Sequence, residues 1–271
     1  MIYRIHTPKP PLSFFIEHFF YYEGYQAEHV MEKFLPDCSM DLLIDLTETP
    51  KKLFHNEKGT TFTTYKKSWM SGMKTEYILI DASVSSMIGV HFKPGGAYPF
   101  FDFPVNHLNN LTIETDTLWN NEIHSIREAI LNTSGIEQKF SILESYFLQK
   151  GKRRSEPNLL IKYAVDQLLH SPTVWTIDKL TKKVGVTQKH LISLFKKYVG
   201  LSPKQFARIS RFQKVIQLAE KQQQIEWTPI AYECGYYDQS HFIKEFQAFS
   251  GINPSSYLVQ RGEYINYLPV K

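Results

Sequence analysis

The spacing of apolar positions changes after Pro104. Before it, short apolar or alternating runs are separated by turn-forming residues. FYYEGY, KFLPDCSMDLLIDL, KKLFHNEKGTTFTTY, WMSGM, EYILIDA and SMIGVHF read as strands, with turns at Pro36–Cys38 and Asn56–Gly59. Short strands in such a series predict a β-sandwich or barrel. LSFFIEHFF, Leu12 to Phe20, predicts a short helix behind the chain-breaking Pro8, Pro10 and Pro11. After Pro104, Ile, Leu and Phe recur at helical spacing over Leu118–Ile130 and Ile136–Lys150, with a break at Asn132–Gly135. Leu159–His170 predicts a further helix.

From about Thr176 the helical pattern occurs twice. LISLFKKYVGLSPKQF starts at Leu191, and FIKEFQAFSGINPSSY starts at Phe242. Leu191 matches Phe242, Phe195 matches Phe246, Gly200 matches Gly251 and Pro203 matches Pro254, at a constant offset of 51. A fixed offset marks a duplicated supersecondary unit. In the first copy Leu191, Leu194, Phe195, Tyr198 and Val199 form one apolar helix face. Gly200 then supplies a left-handed stop, and Ser202 with Pro203 opens the next helix, predicted to run from Ser202 to about Gln222. A short helix and a Gly turn precede each copy. They are Ile177–Val184 with Gly185, and Pro229–Cys234, N-capped by Thr228, with Gly235. Helix, tight Gly turn, helix is the helix-turn-helix pattern. The polar side of each second helix is then the candidate DNA surface: Gln188, Lys189, Ile192, Ser193 and Lys196 in the first, Gln239, Ser240, His241, Ile243 and Lys244 in the second. Such stripes suit a major groove, where Lys and amides meet base edges and Ile meets thymine methyls.

These motifs, above all IAYECGYYDQSHFIKEFQAFSGINPSSY from Ile230 to Tyr257, resemble the DNA-binding domain of the AraC/XylS family of bacterial transcription regulators. The resemblance implies two helix-turn-helix units joined by a long helix, reading adjacent major-groove segments of double-stranded DNA. It also implies RNA polymerase as a partner and activation as the commoner outcome. Two positions depart from the family pattern. Ser193 stands where members carry Arg, and Thr181 where they carry Ala. Ser193 cannot fork onto a guanine as Arg does, so the first unit is expected to read fewer bases or to lean on Lys189 and phosphates. The N-terminal half, through LPDCSMDLLIDL and GVHFKPGGAYPFFDFP, more weakly resembles the family's sensor-type domains. Those are often cupin-like barrels that hold a small-molecule effector or form a homodimer.

Charge sharpens the division. Residues 1–149 carry 12 Lys and Arg against 18 Asp and Glu, and residues 150–271 carry 19 against 9, so a half at −6 sits beside a half at +10. A basic nucleic-acid module joined to a non-binding one shows this asymmetry. Cys38 and Cys234 are far apart and form no disulfide framework. No long apolar run suggests a signal peptide or a membrane span, so a cytoplasmic protein is expected.

The expected fold class is α+β: a mainly β, cupin-like half over residues 1–150, β-rich to 110 and helical over 115–150, a linker at 151–157, and an all-α double helix-turn-helix domain over 158–260. The helical segment packs on the barrel or forms a dimer interface. Lys152, Arg153 and Arg154 in the linker, and Arg208 and Arg211 on the long helix, are placed to meet phosphates or carboxylates. Phe34, Trp69, Tyr77, Phe92 and Tyr98 are candidates to line an effector pocket, against the alternative that most are core. The histidines of this half, His6 to His124, show no close metal-ligand spacing, so no metal and no cofactor is expected. An enzymatic N-terminal half would need a reactive Cys or a metal cluster, and Cys38 lies in an LPDCSMD turn with no second Cys near. A purely protein-interacting one is the other alternative.

Overall fold

The computed structural model describes residues 1–152, 156–221, 225–262 and 264–270. Arg153 and Arg154 lie outside the described residues. The strands are, in chain order, β1 (Ile2–His6), β2 (Ile16–Tyr25), β3 (Met31–Phe34), β4 (Met40–Asp45), β5 (Lys51–Phe54) and β6 (Phe62–Tyr65). They continue with β7 (Ser68–Ser71), β8 (Ile78–Asp81), β9 (Ser85–Phe92), β10 (Thr112–Glu114) and β11 (Tyr267–Pro269). The helices are α1 (Thr115–Trp119), α2 (Glu122–Leu131), α3 (Ile136–Lys150), α4 (Leu159–His170) and α5 (Ile177–Val184). Next come α6 (Gln188–Tyr198), α7 (Pro203–Glu220), α8 (Trp227–Glu233), α9 (Gln239–Ser250) and α10 (Pro254–Gln260).

Two sheets form the N-terminal half, in the orders β1-β2-β9-β4-β7-β10 and β11-β3-β8-β5-β6. All their recorded pairings are antiparallel. Residues opposite one another in a ladder share a face. One face of the first sheet carries the rows Phe19, Val90, Leu42, Met70 and Tyr21, Ile88, Ile44, Ser68, every one of them buried. The helices after Pro104 cover that face. Phe147 of α3 meets Phe19 and Phe92 at ring separations of 6.3 and 5.8 Å. Arg127 of α2, 2% exposed, donates to the carbonyls of Asp45 and Thr47 and pairs with Glu48 at 2.8 Å. The α+β class, the mainly β first half and the helical second half are as the sequence predicts.

Two local expectations differ from the structure, and one element lies beyond any of them. Leu12–Phe20 is a single 3-10 turn, Leu12–Phe14, followed by β2. Two aromatic faces on one strand, Phe19/Tyr21 and Phe20/Tyr22, blur the period that separates strand from helix. Leu118–Ile130 is interrupted at Asn120, which adopts φ 51°, and becomes α1 and α2. The chain beyond residue 260 returns to the β half as β11, which pairs with β3.

A single hydrophobic cluster runs from Leu42 and Val90 through Phe147 and Ile161 to Phe195, Phe212 and Phe246. At its waist the two halves bond directly. Tyr98 packs edge-on against Tyr198 at 4.5 Å, Asn109 Nδ2 donates to the Gly200 carbonyl, and Gln213 Nε2 donates to the Pro36 carbonyl at 2.7 Å. No helix among the described residues is long and apolar enough to cross a membrane.

Candidate nucleic-acid interface

Each half of the duplication is built by cap chemistry. Thr176 accepts from Lys179 N to open α5, and Gly185 at φ 70° closes it. Thr187 then caps α6 through His190 N, and Asp238 caps α9 through His241 N at 2.7 Å. Ser202 and Gln205 form a reciprocal capping box at the start of α7, with Pro203 in the first turn. Gly200 and Gly251 take left-handed conformations after α6 and α9, at φ 105° and 72°. Thr181, at the family's Ala position, is buried and satisfies its hydroxyl on the Asp178 carbonyl at 2.9 Å. The expected cap of α8 differs. The helix begins two residues earlier, at Trp227, and Glu226 gives no side-chain cap. Trp227 packs on Phe242 and Phe246 at 5.8 and 5.5 Å, which holds that turn helical.

With Leu191 and Phe195 buried under α6, the residues Gln188, Lys189, Ile192, Ser193 and Lys196 are all exposed. With Phe242, Phe246 and Phe249 buried under α9, Gln239, Ser240 and Lys244 are exposed, and His241 and Ile243 are half-buried. No ion pair among the described residues holds Lys189, Lys196 or Lys244. Both stripes therefore present uncommitted ammonium and amide donors to solvent. Tyr237, 87% exposed and just ahead of the α9 cap, extends the second stripe. It lies in the turn before α9, outside the helical spacing that a sequence window displays.

Arg208 and Arg211 meet a carboxylate. Glu245 of α9, 8% exposed at its side chain, accepts from Arg208 Nε at 2.5 Å and Arg211 Nη2 at 3.2 Å. His241 Nε2 lies 3.8 Å from the same carboxylate. Arg211 also lies over the Tyr236 ring at 4.9 Å. The clamp ties α7 to α9, and nothing in the local sequence pairs Glu245 with residues 34 and 37 positions earlier.

The five aromatic candidates of the β half do not converge. Trp69 and Phe34 lie on the faces that the two sheets turn toward each other. Phe92 lies on the helix-covered face, against Phe100 and Phe147. Tyr77 lies on the far side of the second sheet, under Lys33 Nζ at 4.7 Å. Tyr98 belongs to the junction with α6. Two cavities, of about 270 and 260 Å³, are lined by Leu12, Phe15, Phe100 and Phe147, and by Thr75, Gln205, Arg208 and Phe249, and by none of the five.

The register gives a different lining for the space between the sheets. The first sheet contributes Phe20, Gly89, Leu43 and Trp69 in one row and His18, His91, Asp41 and Ser71 in the next. The second contributes Phe34, Ile78 and Tyr267. Most of these keep partial exposure, while the opposite face of the first sheet is buried, so solvent reaches between the sheets. His91 Nδ1 and Asp41 Oδ1 are 2.7 Å apart, and His18 stacks on His91 at 4.9 Å. Burial lowers the basicity of His91, but the Asp41 charge and hydrogen bond outweigh it and hold the imidazole at about 9. Burial and the charged His91 push His18 down.

Cys38 is buried, and its thiol donates to the Phe206 carbonyl at 3.8 Å. Burial, with Asp37 beside it, raises that thiol well above its ordinary range, which opposes a thiolate nucleophile. No group of three or more metal-ligating side chains occurs among the described residues.

Residues 180–260 match a family model described as a helix-turn-helix domain, and residues 4–114 match one described as a domain of unknown function. An uncharacterised HTH-type transcriptional regulator of Haemophilus influenzae is 24% identical over 157 residues, covering 58% of this chain and 52% of its own length. The HTH-type transcriptional regulator MtrA of Neisseria gonorrhoeae is 31% identical over 94 residues, covering 33% of this chain and 29% of its own. The chain thus spans about half the length of the first relative and under a third of the second. Among solved structures, ToxT of Vibrio cholerae is similar at 14% identity and TM-score 0.49, over 89% of this chain and 98% of that one. A structure of unsaturated fatty acid bound ToxT gives the same identity and TM-score over 94% of its length.

Proposed function

Residues 180–260 match a helix-turn-helix domain, and from that premise we propose that the chain is a sequence-specific DNA-binding transcription regulator of the AraC type. The observation that carries the reading is the pair of equivalent stripes on α6 and α9, whose Lys189, Lys196 and Lys244 are exposed and held by no ion pair among the described residues. Lys189, Ile192, Gln239, Ser240, His241 and Lys244 make the base-edge contacts. Gln188, Lys196 and Tyr237 add phosphate contacts, which supply most of the affinity. Ser193 leaves the first unit the weaker reader. Arg208 and Arg211 serve the interface indirectly, by fixing α9 on α7.

The β half, residues 1–150, is the effector-responsive part in this reading. A small molecule enters between the sheets, where Phe20, Leu43, Phe34, Asp41 and His91 offer apolar surface and hydrogen bonds. That half also carries any homodimer contact. Activation through RNA polymerase is the regulatory outcome the family resemblance favours, and the workplace is the cytoplasm. No enzymatic step is assigned to either half.

The test is binding of the full chain to DNA from upstream of its own gene, against a random duplex, across a salt titration. Strong preference for the upstream DNA, with log affinity falling by about 0.9 per neutralised phosphate per log unit of salt, supports a sequence-specific regulator. Equal affinity for both duplexes refutes specificity, and no binding at low salt refutes the reading.

A further inference from the structure

The segment after α10 does more than end a helical domain. It leaves the helices at Arg261 and joins the second sheet, with Tyr267 opposite Phe34, Leu268 opposite Lys33 and Pro269 opposite Glu32. Two backbone bonds of 2.9 Å flank the ladder, from Leu35 N to the Asn266 carbonyl and from Val270 N to the Met31 carbonyl. Leu268 is 1% exposed.

The two residues that precede Leu268 look in different directions. Tyr267 shares the inward face with Phe34, its ring 5.1 Å away, and lies within electrostatic reach of Asp41 and Tyr22 across the space between the sheets. Asn266, left-handed at φ 69°, turns its Oδ1 to the helical half, where Gln213 Nε2 donates to it at 2.9 Å. The same nitrogen donates to the Pro36 carbonyl at 2.7 Å. Gln213 is buried in the middle of α7, between the first helix-turn-helix unit and the second. One side-chain amide therefore joins the β half, the returning tail and the helix that spaces the recognition helices.

A tail that only covered a sheet edge would need Leu268 and the ladder. It would have no need to occupy a buried amide of α7, nor to place a phenol inside the cleft. We propose that β11 is a shared element: Tyr267 is a wall of the effector cleft, and Asn266 with Gln213 carries the position of that wall to α7. The effector site is then incomplete without a strand that follows the DNA-binding domain. This rests on the reading of the chain as an effector-responsive regulator and names a residue and a route for it. Coupling of this kind is reciprocal, so altering the strand alters DNA affinity even with no effector present.

The test uses the full chain and three variants. Leu268→Asp places a charge in the buried seat and releases the strand. Gln213→Met keeps the volume but removes the amide. Lys58→Ala, at an exposed side chain outside the β11–β3 ladder, is the control. Hydrogen exchange at Leu35 and Val270 reports strand docking, and titration with the upstream DNA reports coupling. Leu268→Asp should lose protection at both amides and change the DNA Kd by about tenfold. Gln213→Met should keep the protection and still change Kd by about threefold or more. Lys58→Ala should change neither. Loss of protection with Kd unmoved within about twofold overturns the proposal. If Leu268→Asp does not fold, an unmoved Kd in Gln213→Met overturns it alone. A wild-type chain that binds no DNA fails the regulator reading first, and the two failures are thereby told apart.

Discussion

Replacing Glu245 with Ala should strike both stability and DNA binding, and the structure sets the size. Its carboxylate is 8% exposed and accepts two charged donors, from Arg208 and Arg211, whose side chains are 39% and 20% exposed. A hydrogen bond to a charged group nets about 1.5–3 kcal/mol, and breaking a fully buried pair costs about 3–5 kcal/mol. Arg208 is open enough for water to screen much of its share. Arg211 is not, since its Nε is already buried without a partner and its guanidinium lies over Tyr236. The loss should therefore be about 2–4 kcal/mol, most of it from Arg211. Urea unfolding at neutral pH measures this, with an unchanged slope showing that the folded state keeps its compactness. A loss below about 0.5 kcal/mol would refute the clamp. Operator binding is the second assay. With α9 no longer fixed on α7, specific affinity should fall. Affinity for a random duplex should hold or rise, because two guanidiniums are freed.

Lys244→Ala should weaken binding to a preferred site by about 1–3 kcal/mol and relax preference at one base position; unchanged affinity and preference in a selection from random duplexes would remove Lys244 from the reading surface. His91 gives a pH signature. Its folded pKa of about 9 lies above the ordinary 6.5, so the stabilisation from its charged form is complete below about pH 6.5 and is lost as pH rises through about 9. The stability gap between the wild type and His91→Asn should shrink between pH 6 and 9.5, and a gap constant with pH would contradict the pairing with Asp41. Lys74, held down to about 8 by burial, has the opposite sign but is common to both proteins and cancels in the difference. Gly251→Ala should cost about 1–2 kcal/mol from the left-handed backbone alone. More should come from the Tyr77 ring, which an added Cβ would meet at 2.4 Å. An unshifted melting temperature would show that this contact can yield.

The helix-turn-helix half was legible because its signals are local. Caps such as Thr187 and Ser202 act on amides two or three positions away, and Gly200 and Gly251 answer a backbone need that any window of sequence displays. The start of α8 was misplaced because Thr228 has the chemistry of a cap, while the packing of Trp227 decides the turn. The β half was legible as strands and not as a site. An aromatic residue in a strand does not say which face it occupies; the register puts Phe34 inside, and the Lys33 contact puts Tyr77 outside. The Glu245 clamp and β11 depend on partners far along the chain, and β11 is three residues with no periodicity to detect.

The waist between the halves has a consequence for how such a chain can be taken apart. Val199 is 1% exposed beside Gly95, and Ile161 is 3% exposed beside the same loop. Cys38 sits on the backbone of Phe206, and the β3 edge is completed only by β11. A cut at residues 151–157 would uncover these apolar seats on both fragments and leave an unpaired strand edge on one. A chimera that grafts residues 158–260 onto a foreign N-terminal domain would inherit α6 and α9 without the surface that seats them. The interchangeable piece, for protein engineering and for descent by domain shuffling alike, is larger than the helix-turn-helix domain and includes the 3-10 turn at Val105–Leu108 and a β edge able to receive the tail.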